Sequence, residues 1–187
     1  MRIISGNHKG KKILEPSDKS TRPLKDLTKE SIFNIILHSN KFDVKIKASN
    51  ILDLFSGVGS FGLECLSRDA FSVTFIEYYQ KVLPILKKNI SNLNYLEKST
   101  IIEKDILNQL DLNTLKGKFD IIFMDPPFKE KLLPLLLKKI FETKILNEDG
   151  IVIIHKHKNE KDNFYEFFNV IEEKTYGISK IIFGKFF

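Results

Sequence analysis

From Asn50 onward, continuous apolar runs of strand length alternate with stretches of helical spacing. The runs lie at about 50–55, 71–76, 99–103, 119–124 and 150–155; the helical stretches lie near 60–67, 79–92 and 129–144. This alternation predicts βαβ units and a parallel sheet with right-handed crossovers, an α/β fold. Pro84 and Pro134 fall in the second and third of these helices and are expected in first turns or at kinks. Beyond residue 160 the pattern predicts a short helix, then two β-like runs at 169–176 and 179–186. Tyr176-Gly177-Ile178-Ser179 between them is short enough for a hairpin, so the sheet is expected to end in an antiparallel pair.

The segment before Asn50 reads differently. Short apolar runs at 2–4 and 11–14 flank Gly6-Asn7-His8-Lys9-Gly10 and predict a small β-hairpin. A polar loop follows to Pro23. Asp26 or Thr28 then caps a helix through about Leu37, with Ile32, Phe33, Ile35 and Ile36 facing inward. The expected organisation is an N-terminal hairpin and helix over residues 1–40 and a main domain over 41–187.

Charge changes this picture at one end. Residues 1–29 hold Arg2, Lys9, Lys11, Lys12, Lys19, Arg22, Lys25 and Lys29 against Glu15, Asp18 and Asp26, which is +5 of the chain's net +6. A concentrated basic end points to a polyanion, most simply nucleic acid; a solvated basic face is the plainer alternative. Cys65, the only cysteine, sits in an apolar stretch, reads as a core residue and excludes an internal disulfide. No signal-like N-terminus and no apolar run of membrane-spanning length is seen, so a cytoplasmic protein with no membrane partner is expected. His8, His38, His155 and His157 lack metal-ligand spacing with other donors and read as polar residues, the last two at a strand end; no metal is expected.

The first βα turn reads Asp53-Leu54-Phe55-Ser56-Gly57-Val58-Gly59-Ser60-Phe61-Gly62, with Glu77 twenty residues past Gly57. By spacing, this satisfies the dinucleotide fingerprint: glycines for a tight turn and close ligand approach, an acid for ribose hydroxyls. Asp53, however, would crowd a pyrophosphate and suits a cation. S-adenosylmethionine carries a sulfonium and an ammonium and no phosphate. Little chain remains for a second, substrate-binding domain of the dehydrogenase kind. Both points favour S-adenosylmethionine over a dinucleotide; a turn that binds nothing is the bland alternative. Asp105, after the third strand, is placed to accept from an adenine amine, or is simply a helix N-cap or loop acid.

Asp125-Pro126-Pro127-Phe128 follows the strand at 119–124. Two prolines continue neither a ladder nor a helix, so the chain leaves the sheet in a rigid, extended segment. That segment offers a carboxylate, free carbonyls and an aromatic ring to a planar, amine-bearing ring.

With these residues in this order, the chain resembles a class I methyltransferase carrying the amino-methylating [D/N]-P-P-[Y/F] motif. Met1-Arg2-Ile3-Ile4-Ser5-Gly6, Gly10-Lys11-Lys12-Ile13-Leu14, Thr21-Arg22-Pro23, Lys29-Glu30-Ser31-Ile32-Phe33-Asn34-Ile35 and Tyr176-Gly177 narrow the resemblance to the bacterial 16S ribosomal RNA guanine-N2 methyltransferase family, RsmD. Lys29 stands where that family usually has Arg, and Phe128 where Tyr is commoner. The resemblance implies a Rossmann-like fold with a seven-stranded, mostly parallel sheet. It implies S-adenosyl-L-methionine as cofactor, held by Asp53, Phe55, Gly57, Gly59, Glu77 and Asp105, and catalysis by Asp125, Pro126, Pro127 and Phe128. The substrate it implies is 16S ribosomal RNA or the assembling small subunit, with Lys9, Lys11, Lys12, Arg22 and Lys29 on phosphates. A monomer is expected. An amino-methyltransferase acting on adenine, cytosine or a protein glutamine, and a non-catalytic RNA-binding or assembly protein, are the alternatives.

Overall fold

The computed structural model describes residues 1–16, 24–127, 133–160 and 166–187. The elements run α1 (Asp26–His38), β1 (Asn50–Leu54), α2 (Ser60–Ser67), β2 (Ser72–Ile76), α3 (Leu83–Asn92), β3 (Ser99–Ile102), β4 (Phe119–Met124), α4 (Leu133–Thr143), β5 (Leu146–His157), β6 (Phe168–Tyr176) and β7 (Ser179–Phe186). One seven-stranded sheet has the order β3-β2-β1-β4-β5-β7-β6. Its first five strands are parallel, and β7 inserts antiparallel between β5 and β6. The expected antiparallel ending is therefore present.

Successive strand residues serve opposite faces. Ile51, Phe123, Ile153 and Phe183 pack with α1, α2 and α3; Leu52, Ile122, Val152 and Ile182 pack with α4 on the other face. Every one of these eight is essentially inaccessible, which accounts for unbroken apolar runs in place of strict alternation. Burial of each such side chain contributes about 1.5–3 kcal/mol. Pro84 lies in the first turn of α3, where its missing N–H leaves no gap.

Two local expectations shift. Lys25, not Asp26 or Thr28, is the N-cap of α1 and makes no side-chain cap bond; Asp26 lies in the first turn, where its charge still suits the helix dipole. The N-terminal hairpin is reduced to one antiparallel bridge, Arg2 to Lys12, flanked by Ile3 N–H to the Lys11 carbonyl (2.9 Å) and Ile13 N–H to the Met1 carbonyl (3.1 Å). It cannot lengthen because the next amides, of Ile4 and Ser5, donate to Glu64 of α2 (2.7 and 2.9 Å). The predicted short helix after residue 160 falls largely on residues outside those described.

The N-terminal arm belongs to the main core through Ile3, Ile13 and Leu24. Asn7 N–H donates to the Ser67 carbonyl at the end of α2 (2.7 Å), and Ser67 Oγ donates to the Ser5 carbonyl (2.7 Å). Gly6 makes this approach possible: its φ is +82°, and a Cβ there would stand 1.8 Å from the Ser67 carbonyl oxygen.

Candidate active site

The C-terminal ends of β1, β2 and β4 meet where the sheet order reverses, the place where open α/β sheets bind ligands. The chain leaves β1 through Phe55 in the left-handed region (φ +58°), an unfavourable conformation for an aromatic residue, and through Gly57 (φ +54°). No atom lies within 4 Å of where a Gly57 Cβ would stand, so the backbone here faces open space. Gly62 does the opposite: a Cβ would fall 2.4 Å from the Phe75 ring, and its absence lets α2 lie close on β2. The Phe55 side chain is half-buried against the α4-side core.

Asp53 is almost fully buried, and its Oδ2 accepts from Gly62 N–H in the first turn of α2 (2.9 Å). Desolvation pushes its carboxyl well above the usual carboxylate range; the Gly62 bond opposes this, and the charges of Asp125 and Glu77 add to it. Glu77, also buried, accepts from Gly57 N–H through Oε2 (2.7 Å) and from Tyr78 and Tyr79 N–H through Oε1 (2.9 and 2.8 Å). It thus clamps the glycine loop from the end of β2. A carboxylate has about four acceptor sites, so roughly one is left for a ligand hydroxyl.

Asp105 is occupied locally. Its oxygens accept from Leu107 N–H (2.8 Å) and Asn108 Nδ2 (2.9 Å). Desolvation would raise its carboxyl, but these bonds outweigh it and hold the group below the usual range. No helix begins here, so Asp105 acts as a loop acid that closes its own turn, and its partly accessible carboxylate keeps acceptor sites to spare.

Asp125 follows β4 directly, and its N–H reaches the Leu54 carbonyl of β1 (3.4 Å), the last link of that ladder. Pro126 is buried and Pro127 exposed. Phe128 lies outside the described residues, as does Arg22. Asp125 is partly accessible, and its Oδ1 lies 2.7 Å from Nδ1 of His155, on the neighbouring strand β5. His155 was readable as a strand-end polar residue only. The signal that finds it is register: Met124 pairs with Ile154, so the two next residues are neighbours.

Lys9, Lys11 and Lys12 are exposed on the arm. Lys29 is not, which corrects its assignment to phosphate. Its side chain is wholly buried; Nζ donates to the Arg2 carbonyl (2.6 Å) and Ser60 Oγ (3.3 Å) and pairs with Glu64 (3.6 Å). Glu64, equally buried, also accepts from Arg68 Nε (2.8 Å). Asn89 of α3 makes a second junction: it accepts from Leu14 N–H (2.8 Å) and donates to the Leu14 and Val58 carbonyls (both 3.1 Å), joining the arm to the glycine loop. Burial of both side chains is what no sequence spacing announced.

A sheet of this order, a glycine loop clamped by an acid after β2, and Asp-Pro-Pro after β4 define a class I methyltransferase fold. The profile of a family described as Conserved hypothetical protein 95 matches residues 1–185. YlbH of Bacillus subtilis, a candidate rRNA methyltransferase, is 33% identical over 187 residues, 99% of this chain and 98% of that protein. Ribosomal RNA small subunit methyltransferase D of Haemophilus influenzae is 33% identical over 183 residues, 95% of this chain and 90% of that one. Among solved structures, yhhF of Escherichia coli, a candidate methyltransferase, is similar with a TM-score of 0.82 at 26% identity, over 100% of this chain and 97% of that one. The chain belongs to the Conserved hypothetical protein 95 family, the RsmD family that its motifs resemble.

Proposed function

We propose that this protein transfers the methyl group of S-adenosyl-L-methionine to the exocyclic N2 amine of a guanine in 16S ribosomal RNA. The observation that carries the reading is the grouping of three carboxylates, Asp53, Glu77 and Asp125, around a glycine loop whose Gly57 faces open space. Burial, with the charges of Asp125 and Glu77 added, disfavours a negative charge on Asp53, and a cationic ligand relieves it. The same carboxylates would repel a pyrophosphate.

Bound S-adenosylmethionine supplies an electrophilic methyl group on a sulfonium. The chain's own residues do the rest. Asp53 balances cationic charge, and the loop clamped by Glu77 presents its backbone. Asp125 and the Pro126 carbonyl accept the two N–H groups of the substrate amine. That amine's lone pair is delocalised into the ring, and this holding favours a pyramidal nitrogen with the lone pair free to attack. The N–C bond forms as C–S breaks, one N–H proton is lost to solvent, and Asp125 stabilises the positive charge developing on nitrogen. Orientation of this kind supplies up to about 7–11 kcal/mol in the best cases. Lys9, Lys11 and Lys12 contact RNA phosphates, and relatives named as ribosomal RNA methyltransferases support RNA as the substrate.

The test is transfer of tritiated methyl from labelled S-adenosylmethionine to small subunits and assembly intermediates, followed by nucleoside mapping. N2-methylguanosine is expected. Label recovered as N6-methyladenosine, or none transferred to any RNA, overturns the assignment.

A further inference from the structure

We infer that His155 is a positioning residue for this reaction: it holds one oxygen of Asp125 so that the other is aimed at the substrate amine. The inference rests on the amine-methylation reading above and deepens it. Asp125 and His155 are consecutive to the paired residues Met124 and Ile154 of two parallel strands, and their side chains emerge on the face that carries Phe123 and Ile153. Position 155 continues an apolar row, Ile151 and Ile153, and its partner across the antiparallel ladder with β7 is Ile181. A nearly buried imidazole in such a row requires a polar partner, and Asp125 provides one at 2.7 Å, a length typical of charge-assisted bonds.

An ionised carboxylate accepts and does not donate, so Nδ1 carries the proton in this pair. The consequence lies in counting acceptors. A primary amine offers two N–H groups. The Pro126 carbonyl takes one, and Asp125 needs a single oxygen for the other. Carboxylate torsions are broad and roughly two-fold, so an untethered Asp125 would spread its oxygens over many orientations. The Nδ1–H bond fixes Oδ1, and with it the direction in which Oδ2 points.

The experiment compares the wild type with His155→Leu and His155→Asn, whose side-chain Nδ2 stands close to where Nδ1 does. His155→Leu is expected to lower kcat about tenfold to hundredfold, the scale of a misdirected reacting group, with S-adenosylmethionine affinity and melting temperature unchanged. His155→Asn is expected to recover most of that loss. Equal kcat in His155→Leu, equal loss in both variants, or a loss that tracks cofactor affinity or melting temperature overturns the inference. Nitrogen-15 NMR of the histidines gives a readout that needs no turnover. A proton on His155 Nδ1, whose resonance moves in Asp125→Asn, supports the pair; an unprotonated Nδ1 refutes it even if the protein methylates nothing.

Discussion

Lys29→Met separates a structural role from an RNA-binding one. The substitution keeps an unbranched apolar stem and removes the ammonium. In the wild type, Lys29 and Glu64 are both wholly buried, 3.6 Å apart. Removing one partner of such a pair costs about 3–5 kcal/mol, because the other charge stays buried. Glu64 keeps the Ile4 and Ser5 amides and Arg68, which puts the expected cost near the lower end. About 3 kcal/mol corresponds to a fall of about 6–12 °C in melting temperature for a chain of this size. The assay pairs thermal unfolding with RNA affinity measured across a salt series well below the transition. Lys29→Met is expected to melt early and to keep the wild-type salt slope. Alanine at Lys9, Lys11 or Lys12 is expected to do the reverse, changing the slope by about 0.7–0.9 for each phosphate that is no longer neutralised and stability by no more than about 0.5 kcal/mol. A Lys29→Met protein with wild-type stability and a reduced salt slope would refute the reasoning.

Three further outcomes are expected. Asp125→Ala loses methyl transfer while largely sparing S-adenosylmethionine binding, since Asp53 and the loop clamped by Glu77 remain; near-normal methylation would sink its assigned role. Asp53→Asn keeps an acceptor for Gly62 and removes a carboxyl whose folded-state pKa lies well above 3.8. In the wild type the unfolded chain ionises first as pH rises past 3.8, so stability falls across the window up to the raised pKa; the variant is expected to unfold at higher temperature above that window, match the wild type below pH 3.8, and bind S-adenosylmethionine weakly, all checked by calorimetry. Asn89→Ala leaves the Leu14 amide and the Leu14 and Val58 carbonyls without their partner, at about 1–3 kcal/mol for each group that water cannot reach. Its cofactor affinity is expected to fall with stability, and unchanged values of both in denaturant titration and calorimetry would refute the junction.

The fold was legible because burial on both faces leaves continuous apolar strands, and because the glycine loop and the double proline punctuate the chain at fixed places. Asp53, Glu77 and Asp125 stood out by the same pattern: Glu77 and Asp125 directly follow readable strands, and Asp53 lies one residue before the end of β1. What stayed hidden depends on pairing across distance. Lys29 carries a charge, and charge in a sequence reads as surface; only the fold shows that Glu64 and the Arg2 carbonyl meet it inside. Asp105 is a local case: its own turn supplies Leu107 and Asn108 as partners, two and three residues on. His155 looked like any polar strand end until register set it beside Asp125.

The anchoring of the arm also orders events in time. Its partners are distant in the chain: Glu64 lies 60 residues beyond Ile4, and Asn89 lies 75 beyond Leu14. At synthesis rates of about 5–20 residues per second, Asn89 follows Leu14 by roughly 4–15 s. Early in that interval the arm has nothing to dock on; α2, with Glu64, is made first, and the Asn89 junction waits for α3. The basic arm is made first and fixed late, and its anchoring is complete only once the run from β1 to α3 stands behind it.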